Sequence, residues 1–160
     1  MIIAVSGTPG TGKSTLAKEL AKALRYYYVD VLKFIKENKL SDGFDKERDC
    51  EIIDVKKLNK ALEKFLKSKN AVVDSHLSHN LPKKLVDICI ITKCELKELR
   101  RRLELRKYSE KKIRENLEAE IFDTCYQEAD QKGHKTIVVD TTKGFKIKEI
   151  IKLIKIMGLH

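Results

Sequence analysis

The chain has 160 residues, 42% apolar and 36% charged, with 34 basic against 24 acidic side chains and a net charge of +10. This is one domain's worth of chain, long enough to bury a core without staples. The composition excludes disordered, collagen-like and low-complexity classes. The basic excess suits plain solubility or an anionic partner such as a nucleotide, RNA or an acidic surface.

Residues 2–6 form an apolar run that predicts a short buried strand. Residues 7–13 are a Gly/Thr/Pro loop, and from Ser14 a helix is expected, with Leu16, Leu20 and Leu24 on one face. Tyr26 to Val29 reads as a second strand, with Asp30 placed to cap a helix running to about Asn38. Residues 39–50 are polar and turn-rich and predict a mobile surface excursion. A helix is expected over 55–67, a buried strand at 71–75 and another at 86–92. Two charged helices follow at about 95–106 and 109–132, then a strand at 136–139 and a last helix at 147–157.

Strands alternating with helices predict parallel crossovers, and apolar rather than alternating strands predict a sheet covered on both faces. The expected fold is a single α/β domain over 1–160, with a five-stranded parallel sheet and helices on both sides. No apolar run approaches the ~18 residues of a membrane span. The first residues, Met1-Ile2-Ile3-Ala4-Val5, lack a basic leader region, so no signal peptide and a cytoplasmic location are expected. Cys50, Cys89, Cys94 and Cys125 form no C-x-x-C pair and read as reduced structural thiols.

Gly7-Thr8-Pro9-Gly10-Thr11-Gly12-Lys13-Ser14 fits G-x-x-x-x-G-K-[ST]. A chain of this length matches that pattern by chance roughly once in two hundred, and here it also lies between a strand and a helix. Glycines let successive N–H groups, Gly10, Thr11 and Gly12 among them, turn inward toward phosphate oxygens. The following helix adds its N-terminal N–H groups. Lys13 supplies charge to the β- and γ-phosphates, the Ser14 hydroxyl suits Mg²⁺, and Thr15 falls near the α-phosphate. Such a site also wants an acid at the end of a neighbouring strand to hold the metal, and Asp74 supplies it. His76, two residues on, stands beside that position.

A GTPase is excluded by order. Thr92-Lys93-Cys94-Glu95 misses the base-reading motif by one residue, and matches to D-x-x-G come only after it. The layout fits a small nucleoside-monophosphate-kinase-like protein with ATP and Mg²⁺. Residues 30–53 would form the acceptor segment, with Asp30, Lys33 and Lys36 on it, and 105–115 a short lid. Arg106 is the candidate closing cation, while Arg100 to Arg102 read as a solvated face.

These residues resemble the small adenylate kinases that also act in ribosome maturation, the coilin-interacting nuclear ATPase group and its archaeal relatives. The resemblance rests on 7–15, on Asp42-Gly43-Phe44-Asp45 with Asp49-Cys50, and on Asp74-Ser75-His76 as a D-x-H signature. It extends through Arg106-Lys107-Tyr108-Ser109, the helix 115–121 behind it, and Val139-Asp140-Thr141-Thr142 over the adenine. It implies ATP as donor, AMP as acceptor, Mg²⁺ and intrinsic ATPase activity. It also implies transient binding to a small-subunit ribosomal protein on the pre-ribosomal particle, with direct RNA contact left open. It places Asp74 and His76 at the metal and at ATP hydrolysis, and Arg106 on ATP. Two positions depart from the family. Lys107 replaces the usual lid Gly, and Lys36 stands where an acceptor-side Arg is common. A Lys offers a point charge in place of a bidentate fork. An assembly switch with little kinase activity, or a kinase for another small acceptor, are the alternatives.

Overall fold

The computed structural model describes residues 1–47 and 50–158. Its centre is a parallel sheet of five strands: β1 (Ile2–Gly7), β2 (Tyr27–Asp30), β5 (Ala71–Asp74), β6 (Ile88–Lys93) and β7 (Thr136–Asp140). They lie in the order β2-β5-β1-β6-β7. Every neighbouring pair is parallel, as the apolar strand pattern requires.

Alternation along β1 divides the core in two. Ile2 and Ala4 face one layer with Val73, Cys89 and Ile91, where Phe34, Leu58, Leu62 and Ala129 pack. These come from helices α2 (Val31–Glu37), α3 (Val55–Leu66) and α6 (Thr124–Gln131). Ile3 and Val5 face the other layer, against Leu16 and Leu20 of α1 (Lys13–Leu24) and Ile150 and Ile154 of α7 (Ile147–Gly158). A third cluster joins Leu99 and Leu103 of α4 (Leu96–Leu105) to Ile113 of α5 (Glu110–Ile121).

Two expectations are corrected. The polar stretch after Leu40 is not a bare excursion but a hairpin of β3 (Ser41–Asp45) and β4 (Cys50–Ile53). Phe44 and Ile52 are exposed while Ile53 packs against the core, so no clean apolar alternation marks it. Of the acceptor-segment residues, Asp49 lies outside the described residues. The helix expected over 109–132 is two helices. Asp123 takes a left-handed conformation, φ 53°, and breaks α5 from α6.

The five strands of this sheet all point the same way, so the loops after β1, β2, β5, β6 and β7 gather at one sheet end, where ligands bind in open α/β folds.

Candidate active site

The loop between β1 and α1 is built by close packing. A Cβ on Gly7 would sit 2.3 Å from Thr92 Oγ1 and 2.7 Å from the Thr92 carbonyl, so only glycine lets β1 leave the sheet beside β6. Gly12, at φ 83°, delivers the chain into α1 with no side-chain cap. The first N–H groups of that helix are therefore left for an anion. The Thr11 hydroxyl fixes the curl through the Thr8 carbonyl and Thr92 Oγ1, both at 2.6 Å. Thr141, after β7, donates its hydroxyl to the Thr11 carbonyl at 2.6 Å. Ser14 and Thr15 are exposed at the helix start.

Lys13 folds back along the loop, its ammonium donating to the Thr8 carbonyl at 3.3 Å. Burial pushes its pKa down to about 8; Asp74 opposes the shift and Arg106 adds to it. The charges of Asp74 and Arg106 thus both act on Lys13.

Asp74 ends β5 in register with Val5 on β1 and Asp30 on β2. It is 6% exposed. The Tyr28 hydroxyl donates to its Oδ2 at 2.6 Å, and Ser14 lies close enough to that phenol to act on it. Tyr28 is a site residue that sequence reading missed, because it pairs across two strands, 46 residues away. A buried carboxylate beside a serine hydroxyl is an oxygen donor set suited to a hard cation, so Ser14 and Asp74 fit Mg²⁺.

His76 is exposed on the loop after β5. The surrounding protein and then the Lys13 charge push its pKa down to about 4, with His79 and Lys112 adding to the shift. An exposed imidazole is mostly neutral at pH 7 in any case, so His76 is a neutral donor and acceptor. Beneath it, Ser6 Oγ meets His79 Nδ1 at 2.6 Å and the His76 carbonyl at 3.3 Å. His79 Nε2 meets Glu128 at 2.6 Å. The acceptor-only carboxylate assigns the proton to Nε2. His134 Nε2 bonds the His79 carbonyl at 3.0 Å, and its buried Nδ1 has no partner among the described residues.

Burial, first of all, lowers the pKa of both His79 and His134. The folded state therefore binds fewer protons than the unfolded state. Stability present above the unfolded value of ~6.5 is lost as pH falls from there toward the folded-state values. The slope is at most about 1.4 kcal/mol per pH unit for each imidazole. Calorimetry between pH 7.5 and 5.5 is expected to show Tm falling. His134→Gln, which keeps the Nε2-type donor, should flatten the fall; an unchanged slope in the variant would contradict the assignment.

The segment expected to form a lid is a short turn. Arg106 caps α4, Lys107 takes φ 56°, and Ser109 caps α5 by accepting from the Lys112 N–H. The left-handed angle at Lys107 is the conformation that glycine adopts without cost. Arg106 is exposed on this turn. Arg100 and Arg101 are solvated as expected, paired with Glu104, Glu110 and Glu98. Arg102 is not. It is half-buried, donating to the Thr141 carbonyl at 2.8 Å and the Thr142 carbonyl at 3.2 Å, and reaching the Gly10 carbonyl at 3.4 Å. Its helix face points at the phosphate loop, which a charge run alone does not reveal.

In the segment expected to bind the acceptor, Asp30 Oδ1 accepts from the Lys33 N–H at 3.1 Å and so caps α2. Lys33 is exposed and pairs with Glu37 at 3.7 Å. Lys36 is exposed on the same helix.

Comparison with known proteins shows the family. The AAA domain family model matches residues 3–123. An archaeal protein of Pyrococcus abyssi, provisionally named adenylate kinase, is 41% identical over 97% of this chain and 84% of its own. Adenylate kinase isoenzyme 6 homolog FAP7 of Saccharomyces cerevisiae is 37% identical over 90% of this chain and 74% of its own. The chain belongs to this adenylate kinase-like family. Members are P-loop proteins of the nucleotide-binding kinase type, and the fold agrees. A shikimate kinase from Acinetobacter baumannii superposes with a TM-score of 0.69 at 17% identity, covering 99% of this chain and 95% of that one. At that identity the likeness speaks for the fold alone. Among the described residues, no helix is long and apolar enough to cross a membrane.

Proposed function

We propose that the protein transfers the γ-phosphate of ATP to AMP, giving two ADP, and hydrolyses ATP more slowly when no acceptor is bound. One observation carries this reading. The Asp74 carboxylate lies in register with Asp30, where the acceptor segment begins, and shares the environment of Lys13 on the phosphate loop. This supports a donor loop and an acceptor segment that meet at the end of β5.

The chemistry needs little covalent help. An AMP phosphate oxygen is already anionic, so the attack requires no general base. The bond from the γ-phosphorus to the attacking oxygen forms as the bond to the β–γ bridging oxygen breaks. Loop N–H groups and Lys13 hold the phosphoryl oxygens, and Arg106 adds charge from the lid. Mg²⁺, held by Ser14 and Asp74, would neutralise phosphate charge. Neutral His76 is suited to orienting a water rather than to donating a proton, which supports the slower hydrolysis. Lys36 would meet the AMP phosphate as a point charge, so a high KM for AMP is expected. The net charge of +10 supports a further role on an RNA-rich particle, the small ribosomal subunit with one of its proteins.

The test is ADP formation from Mg²⁺-ATP against a panel of AMP, CMP, UMP and GMP. Stimulation by AMP well above the others is expected. Equal rates with every acceptor and with none would contradict the reading and leave an ATPase.

A further inference from the structure

Glu120 lies near the end of α5, on the helix behind the lid, and is 5% exposed. Its Oε2 accepts from the Thr8 hydroxyl at 2.6 Å. Its Oε1 accepts from the Cys94 N–H at 3.0 Å and meets the Lys93 ammonium at 3.2 Å. Lys93 also donates to the Glu120 carbonyl at 3.0 Å and pairs with Asp123. A buried carboxylate is expensive unless fully paired, and this one is paired, so it ties Thr8, Lys93 and Cys94 to the end of α5.

Its partner Thr8 is the residue on which the phosphate loop rests. The Thr8 carbonyl accepts from both Lys13 Nζ and the Thr11 hydroxyl. The other end of α5 belongs to the lid. Ser109 caps it, and Lys112 lies over the Tyr108 ring and acts on His76. Twelve helical residues make a rod roughly 18 Å long, at 1.5 Å per residue. The left-handed Asp123 separates α5 from α6, so the end of α5 that carries Glu120 is a helix terminus of its own.

We infer that Glu120 is a positioning residue that couples the lid to the phosphate loop. When phosphates fill the loop and draw Lys13 off the Thr8 carbonyl, the Thr8–Glu120 hydrogen bond passes the change to α5 and biases the lid toward closure. This rests on the nucleotide-binding reading above.

Hydrogen exchange of residues 105–113 tests it, with a non-hydrolysable ATP analogue at saturation fixed by calorimetry. The wild type is expected to gain lid protection on binding. Thr8→Val should still bind, since the loop's N–H cradle remains, but should lose at least about threefold of that gain. Thr8→Ser, which keeps the hydroxyl, should restore it, and the two Thr8 variants together decide. Full lid protection in saturated Thr8→Val overturns the coupling and leaves nucleotide binding standing. A wild type that binds no analogue overturns both.

Discussion

Lys13→Met is expected to lower kcat/KM for ATP on the order of 10³-fold, the scale of losing a preorganised charge at a developing anion. The variant should nevertheless fold at least as well as the parent. Lys13 rests in a loop shaped for anions, and burial disfavours its charged form. Among the described residues its ammonium makes one hydrogen bond, 3.3 Å to the Thr8 carbonyl. Replacing the ammonium with an apolar side chain of similar length removes that cost. Tm without nucleotide should hold or rise, by about 2–4 °C for each kcal/mol gained. With ATP added, only the wild type should gain further stability, because only a ligand bound to the native state shifts its unfolding. Retained activity would remove Lys13 from the mechanism. Lost activity with a collapsed melting curve would make its role structural.

The second large effect is expected at Asp74. Asp74→Asn keeps the shape of the side chain and a carbonyl oxygen for the Tyr28 hydroxyl, but removes the charge. The Mg²⁺-dependent rate should fall about 10²–10³-fold, with the Mg²⁺ concentration for half-maximal rate shifted upward. Tyr28→Phe makes the companion test. It leaves the charge and removes the donor that orients it at 2.6 Å. Partners that orient a metal ligand are worth about 10–100-fold in metal affinity, so Tyr28→Phe should raise the Mg²⁺ requirement about tenfold with a smaller change in kcat. Titrating Mg²⁺ at fixed ATP for both variants separates the two effects. Equal Mg²⁺ curves for wild type and Asp74→Asn would mean that Asp74 serves the fold alone.

What could be read from the chain was local. The phosphate loop is a contiguous pattern between an apolar strand and a helix, and Asp74 ends an apolar run. The sheet followed from the alternation of strands with helices, and its strands lie close to the expected ranges. What escaped reading depends on distance along the chain. Thr8 and Glu120 are 112 residues apart, Tyr28 and Asp74 46, and Arg102 meets Thr141 39 residues on. No periodicity reports such pairs. The hairpin β3–β4 was hidden for a different reason: Phe44 and Ile52 are exposed while neighbouring Ile53 packs on the core, so its apolar residues follow no clean alternation. The break at Asp123 left no glycine or proline to mark it, since an aspartate takes the left-handed angle.

The central claim is that the γ-phosphate moves to an acceptor instead of to water. ATP labelled in its γ-phosphate, incubated with Mg²⁺ and AMP, tests it most directly. The account predicts label in the β-phosphate of newly formed ADP, with two ADP appearing for each AMP consumed. Label released mainly as inorganic phosphate, at a rate indifferent to AMP, would contradict it.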